Sequence, residues 1–112
     1  MRVIVAGSRG ATKDAVLEAL RQASVYISVV ICGGARGADQ HGADLAREKG
    51  IPVEYYHADW DTYGKAAGYI RNRKMAEVAD ALIAVWDGQS RGTKNMIEEA
   101  TKKGLPVFVW RY

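Results

Sequence analysis

Val29-Val30-Ile31-Cys32-Gly33-Gly34-Ala35-Arg36-Gly37-Ala38-Asp39 is a short apolar, largely β-branched run that breaks into a glycine-rich turn. Ala38, Gly42, Leu45 and Ala46 then recur at helical spacing, so the stretch reads as strand, turn and helix. Such a turn leaves backbone N–H groups at the positive end of a helix dipole, which suits a phosphate. The chain builds the arrangement twice. Ala81-Leu82-Ile83-Ala84-Val85-Trp86 runs into Asp87-Gly88-Gln89-Ser90-Arg91-Gly92-Thr93, and a segment of helical character follows again. The repetition points to a phosphate-bearing small ligand.

Outward from these turns, apolar runs and helical patterns alternate along the whole chain. Strands are predicted over 2–6, 28–32, 53–57, 81–86 and 107–110. Between them lie helical stripes at Val16, Ala19, Leu20 and Ala23, at Met75, Val78, Ala79 and Leu82, and at Ile97, Ala100 and Thr101. Five strands alternating with four helices predict an α/β architecture whose parallel sheet is covered on both faces. A second echo agrees. Ala46-Arg47-Glu48-Lys49-Gly50-Ile51-Pro52-Val53 matches Ala100-Thr101-Lys102-Lys103-Gly104-Leu105-Pro106-Val107. Each reads as a basic last helical turn, a left-handed glycine and a proline that starts a strand. Turn chemistry explains all of these residues, so they concern the fold and not the function.

At 112 residues the chain is expected to form one domain, residues 1–112, with a single core. Its 48% hydrophobic and 26% charged residues exclude a disordered chain. The net charge of +3 is dispersed and too mild to require nucleic acid. Cys32 is the only cysteine, which excludes an internal disulfide and fits a reducing cytoplasm. The apolar run at Val3 to Ala6 is too short for a signal peptide, and no stretch has the length of a membrane span. His41 and His57 lack partners at metal-ligand spacing, so neither a metal nor a resident cofactor is expected. No nucleophile elbow, Walker lysine or zinc-protease motif occurs.

Ligands of a parallel sheet bind outside the carboxyl ends of its strands. Four loops share that edge: Gly7-Ser8-Arg9-Gly10, Gly33 to Asp39, Ala58 to Gly64, and Asp87 to Thr93. Gly33, Gly34, Ala35, Gly37, Gly88 and Gly92 offer backbone amides or close approach, and Arg9, Arg36 and Arg91 are suited to bidentate pairing with phosphate. Asp39 and Thr93 read as helix N-caps, Thr93 with a hydroxyl that also reaches a bound phosphate. Arg71 and Asn72 fall on or near the apolar face of a helix, where a guanidinium needs a partner. Two partners are open, a salt bridge to Asp59 or Asp61, or a ligand in the pocket. Trp60, Tyr63 and Trp86 stand at the same edge, placed either to stack on a base or ribose or to lid the core.

Taken together, Gly7-Ser8-Arg9, Gly33 to Asp39, Arg71-Asn72-x-x-Met75, Ala79-Asp80 and Ser90-x-Gly92-Thr93 resemble the SLOG superfamily, and within it the small YspA-like branch. That branch is related to the "lonely guy" phosphoribohydrolases and to the DNA-processing protein DprA. The resemblance implies a Rossmann-like three-layer sandwich, strand order 3-2-1-4-5, that binds nucleotide-derived ligands in its glycine-rich loops, often as a homodimer. The phosphoribohydrolases carry Pro-Gly-Gly-x-Gly-Thr-x-x-Glu, where the glutamate acts with an arginine of the third helix. Aligned on Gly92-Thr93, the glutamate position is Met96 and the proline position Gly88, while Arg71 resembles the arginine. Glu98 comes two residues late and Glu99 a turn further on.

The first expectation is therefore a module that senses or sequesters a nucleotide or nucleotide-derived phosphate ligand. The alternative is a hydrolase of an N-glycosidic or phosphate bond in such a ligand, with Arg71, Asp39, Asp59 and Asp87 as candidate catalytic residues. Single-stranded DNA binding, by likeness to DprA and from the sequence pI near 9.1, is the second alternative.

Overall fold

A computed structural model describes residues 1–112. Five strands, β1 (Arg2–Gly7), β2 (Val29–Cys32), β3 (Val53–Tyr55), β4 (Ala81–Trp86) and β5 (Val107–Arg111), form one sheet in the order β3-β2-β1-β4-β5. Every pairing is parallel. The Rossmann-like arrangement expected from the sequence is the one observed.

Strand periodicity sorts the core into two layers. Val3 and Val5 of β1, with Ala81, Ile83 and Val85 of β4, face one side of the sheet. There they meet Val16 and Ala19 of α1 (Lys13–Ala23) and Leu45 and Ala46 of α2 (Ala38–Glu48). Ile4 and Ala6, with Leu82 and Ala84, face the other side. That layer is closed by Met75 and Ala76 of α4 (Ala67–Val78) and by Met96 and Ala100 of α5 (Arg91–Lys102). Both central strands are thus apolar on both faces, as a doubly covered sheet demands.

The two Gly-Pro echoes are helix stops of one design. Ile51 N–H donates to Ala46 O (2.8 Å) and Gly50 N–H to Arg47 O (3.1 Å); Leu105 and Gly104 repeat both bonds to Ala100 and Thr101 (3.1 and 3.0 Å). This is the Schellman arrangement, and it needs the left-handed φ of +72° at Gly50 and +74° at Gly104.

Three boundaries differ from the sequence reading by more than one residue. The third stripe is no single helix: α4 stops at Val78, Ala79 is extended, and Leu82 belongs to β4. The third strand ends at Tyr55, which leaves His57 in the loop beyond it. The stretch 58–68, expected as a loop, folds into the short helix α3 (Trp60–Tyr63) and a 3-10 turn (Gly64–Ala66). No helix is long and apolar enough to cross a membrane. After β1 the chain leaves toward α1 on one face, and after neighbouring β4 it leaves toward α5 on the other. That divergence opens a crevice at the carboxyl edge.

Candidate functional site

A cleft of about 640 Å³ occupies this edge, on the α4–α5 side. The ends of β1, β2 and β3, the segment from Trp60 through α4, and the start of α5 all reach it.

The β2–α2 turn is organised around Asp39. Gly37, not Asp39, is the N-cap of α2; Asp39 is the second helical residue and is only 5% exposed. Gly37 adopts φ +76° and ψ −124°, and a Cβ there would run into the carbonyls of Ser8 and Arg9. With glycine taking the sharp bend, the Asp39 side chain folds back under the turn. Its Oδ2 accepts the Gly33 N–H (2.9 Å) and the Ala35 N–H (3.4 Å). Two amides expected to cradle phosphate are thereby engaged by the protein's own carboxylate. Burial pushes Asp39 up to about 6, against the lowering effect of the amides and of Arg71.

Arg71 projects from α4 across the cleft to the same turn. Its Nη1 donates to Gly33 O (2.9 Å) and Tyr56 O (3.4 Å), and its Nε donates to Asn72 Oδ1 (2.9 Å). The buried Asn72 passes the link on, from Nδ2 to Asn95 Oδ1 (2.9 Å) and Gly92 O (3.3 Å). The pair on α4 therefore cross-braces the two glycine-rich turns. No ion pair joins Arg71 to Asp59 or Asp61; Asp59 instead caps α3 by accepting the Thr62 N–H (3.2 Å). Burial lowers the Arg71 pKa, and the charge of Asp39 offsets part of that effect. Nη2 of Arg71 keeps no protein acceptor.

The β4–α5 turn is held from below. Asp87 Oδ1 accepts the N–H groups of Gln89 (2.8 Å) and Ser90 (2.9 Å), which keep its carboxyl below the usual range. Ser90 is the N-cap of α5, and its Oγ accepts the N–H (3.4 Å) and hydroxyl (3.1 Å) of Thr93. Thr93, expected as a cap, is the third helical residue. Ser8 is 2% exposed, and its Oγ accepts the Asp87 N–H (3.0 Å). Trp86 Nε1 donates to Ser90 O (3.1 Å), and the Arg111 guanidinium lies 5.3 Å from the Trp86 ring centre. These contacts leave the N–H groups of Arg91 and Gly92, the first two of α5, without a protein partner.

Gly7, Arg9, Gly33, Gly34, Ala35, Asp39, Trp60, Arg71, Asn72, Ser90, Gly92 and Thr93 all line the cleft, as the sequence reading grouped them. Ser8, Arg36, Gly37, Trp86, Gly88 and Arg91, with the acid candidates Asp59 and Asp87, do not. Ser8, Gly37 and Trp86 shape the turns from behind; Arg36 and Arg91 are exposed. Sequence reasoning missed Ala6, His57, Lys65, Gly68 and Tyr69 as liners, and had Ala58 only in an edge loop and Met75 only in a motif. Gly68, Asn72 and Met75 stand at helical spacing, a signal that was available once Asn72 had been chosen. His57 was hidden because only the fold brings it against Gly34, where a Cβ would lie 2.7 Å from its ring.

Chemically, the cleft offers three cationic side chains, Arg9, Lys65 and Arg71, and one carboxylate, Asp39. Its floor is apolar, formed by Ala6, Met75 and Met96, and Met96 is 1% exposed. Met96 thus presents a thioether there, which neither gives nor takes a proton.

Two comparisons bear on this arrangement. Residues 1–63 match the YspA, cpYpsA-related SLOG family. The Gene 61 protein of Mycobacterium phage D29 is 40% identical over 118 aligned positions, covering 96% of this chain and 94% of that protein. The matched 63 residues carry β1, the Gly33–Asp39 turn, α2 and α3, which supply one wall of the cleft. The chain belongs to the YspA, cpYpsA-related SLOG family, and membership suggests a nucleotide-related ligand, bound or processed.

Proposed function

We propose that the chain binds a nucleotide or nucleotide-derived phosphate ligand in the carboxyl-edge cleft and releases it intact, as a sensor or a sequestering module does. The observation that carries this reading is the gathering of Arg9, Lys65 and Arg71 around one concave site that the unpartnered amide of Gly92 also lines. Cations that share a cleft with a helix N-terminus suit an anionic ligand. Of the two glycine-rich turns, the one at α5 is the better phosphate cradle, because the amides of Gly33 and Ala35 are turned to Asp39. Trp60, 59% exposed at the mouth, offers a face for the base. Met96 supports release without turnover.

Calorimetric titration with nucleoside mono- and diphosphates and ADP-ribose tests this. Arg71→Met is expected to weaken the bound nucleotide about 10- to 100-fold, since it removes a charge-assisted bond worth ~1.5–3 kcal/mol. Unchanged affinity in a folded Arg71→Met removes Arg71 from the site. Hydrolysis is the second reading, favoured by one observation: a buried carboxyl ionising near pH 6 faces an arginine in a cleft. It requires a base or phosphate to be released, and that release to vanish in Asp39→Asn.

A further inference from the structure

Asn72 is 4% exposed, and both ends of its amide are bonded to the protein. Its Oδ1 accepts the Nε–H of Arg71 (2.9 Å), while its Nδ2 donates to Asn95 Oδ1 (2.9 Å) and Gly92 O (3.3 Å). Arg71 Nε can only donate and Gly92 O can only accept, so the amide has a single orientation. Asn72 lines the cleft, yet its oxygen and nitrogen are both engaged within the fold.

The group it orients is the guanidinium. That group is planar, and bonds at two of its nitrogens fix both its place and its plane. Nη1 is held by Gly33 O (2.9 Å) and Tyr56 O (3.4 Å), beyond β2 and β3. A bond at Nη1 alone leaves the plane free to tilt; the second bond, from Nε to Asn72, stops the tilt. Asn72 has its own fixed point on another helix, because Gly92 and Asn95 both belong to α5. With two nitrogens anchored, the aim of the third is set. A Cβ added at Gly68 would lie 4.0 Å from Nη2 and 3.5 Å from Cη2 of Trp60. Gly68 and Trp60 both line the cleft, so Nη2 is presented to it beside the indole.

Resting on the nucleotide reading above, we infer that Asn72 is a positioning residue for ligand binding. Its amide holds the Arg71 guanidinium so that Nη2 meets the anionic group of the ligand beside Trp60, and it makes no ligand contact of its own. A mere brace between α4 and α5 would act on stability whatever stood at position 71. A positioning role makes affinity depend on Asn72 only while Arg71 is present.

The test is a double-mutant cycle on the full chain. AMP, ADP and ADP-ribose are titrated calorimetrically into wild type, Asn72→Ala, Arg71→Met and the double variant. Asn72→Ala is expected to weaken the tightest of the three about 5- to 20-fold in the wild-type background, and less than about twofold in the Arg71→Met background. A comparable loss in both backgrounds, or no loss in a folded Asn72→Ala, overturns the assignment and leaves the nucleotide reading in place. A readout on the wild type stands even if Asn72→Ala does not fold. The Nε–H resonance of Arg71 is expected to exchange with water at least about tenfold more slowly than that of the exposed Arg91, and to shift when nucleotide is added. Exchange as fast as at Arg91, or a resonance that bound nucleotide leaves unmoved, overturns the assignment alone. Binding of none of the three compounds by wild type overturns both readings.

Discussion

Asp39 shows at the scale of one residue how position overrides type. Aspartate ahead of a helix is a common N-cap, and nothing in the local sequence distinguishes a cap from the second helical residue. The difference lies in Gly37, whose φ of +76° moves the bend two residues upstream. The consequence is measurable. Asp39 ionises at about 6 in the folded chain and near 3.8 when unfolded. Its contribution is complete below the unfolded value, where both states are protonated, and is lost as the pH rises through the folded value. Chemical denaturation between pH 4 and 7 is expected to show wild type losing about 2 kcal/mol relative to Asp39→Asn. A constant difference across that range contradicts a buried, raised carboxyl. Glycines separate by the same reasoning. Gly37→Ala meets both forbidden backbone and the Ser8 and Arg9 carbonyls, whereas Gly50→Ala at φ +72° meets nothing within 4 Å. Urea melts are expected to cost Gly37→Ala about 2–4 kcal/mol and Gly50→Ala about 1–2 kcal/mol.

At the scale of elements, the strands were legible because β-branched runs bounded by turns have few other readings. The segment from Trp60 to Ala66 was not, since α3 and the 3-10 turn bury no residue and so impose no apolar period. Arg71 and Asn72 were legible as unusual, but their bracing role was not. Their partners lie in three other elements or loops, a matter of tertiary placement that spacing along α4 does not encode. Helix α2 carries a clearer signature in Gly42, which lets it approach β1: an added Cβ would sit 2.6 Å from Cγ1 of the fully buried Val5. Alanine there gains roughly 1 kcal/mol of helix propensity, while overpacking costs about 1–3 kcal/mol. Gly42→Ala is expected to lower stability by a net ~0–2 kcal/mol, read as a lower melting midpoint, and a stabilised variant contradicts the close packing.

At the scale of the molecule, repetition in the sequence became geometry. The two strand–turn–helix stretches ended as β2–α2 and β4–α5, on opposite faces of one sheet with their turns at one edge. The two Gly-Pro echoes ended at the other edge, where they only stop helices. This asymmetry located the cleft before any side chain was placed. What the repetition hid is that the two turns differ in chemistry: one engages its amides with Asp39, the other leaves those of Arg91 and Gly92 free. The most direct measurement is a thermal-shift titration of the chain with ribonucleotides and ADP-ribose, followed by chromatography of the same samples. A ligand at a hundred times its dissociation constant is expected to add about 2.7 kcal/mol and to be recovered intact. Absence of a shift with every compound contradicts nucleotide binding at this cleft, and recovery of a cleaved ligand contradicts binding without turnover.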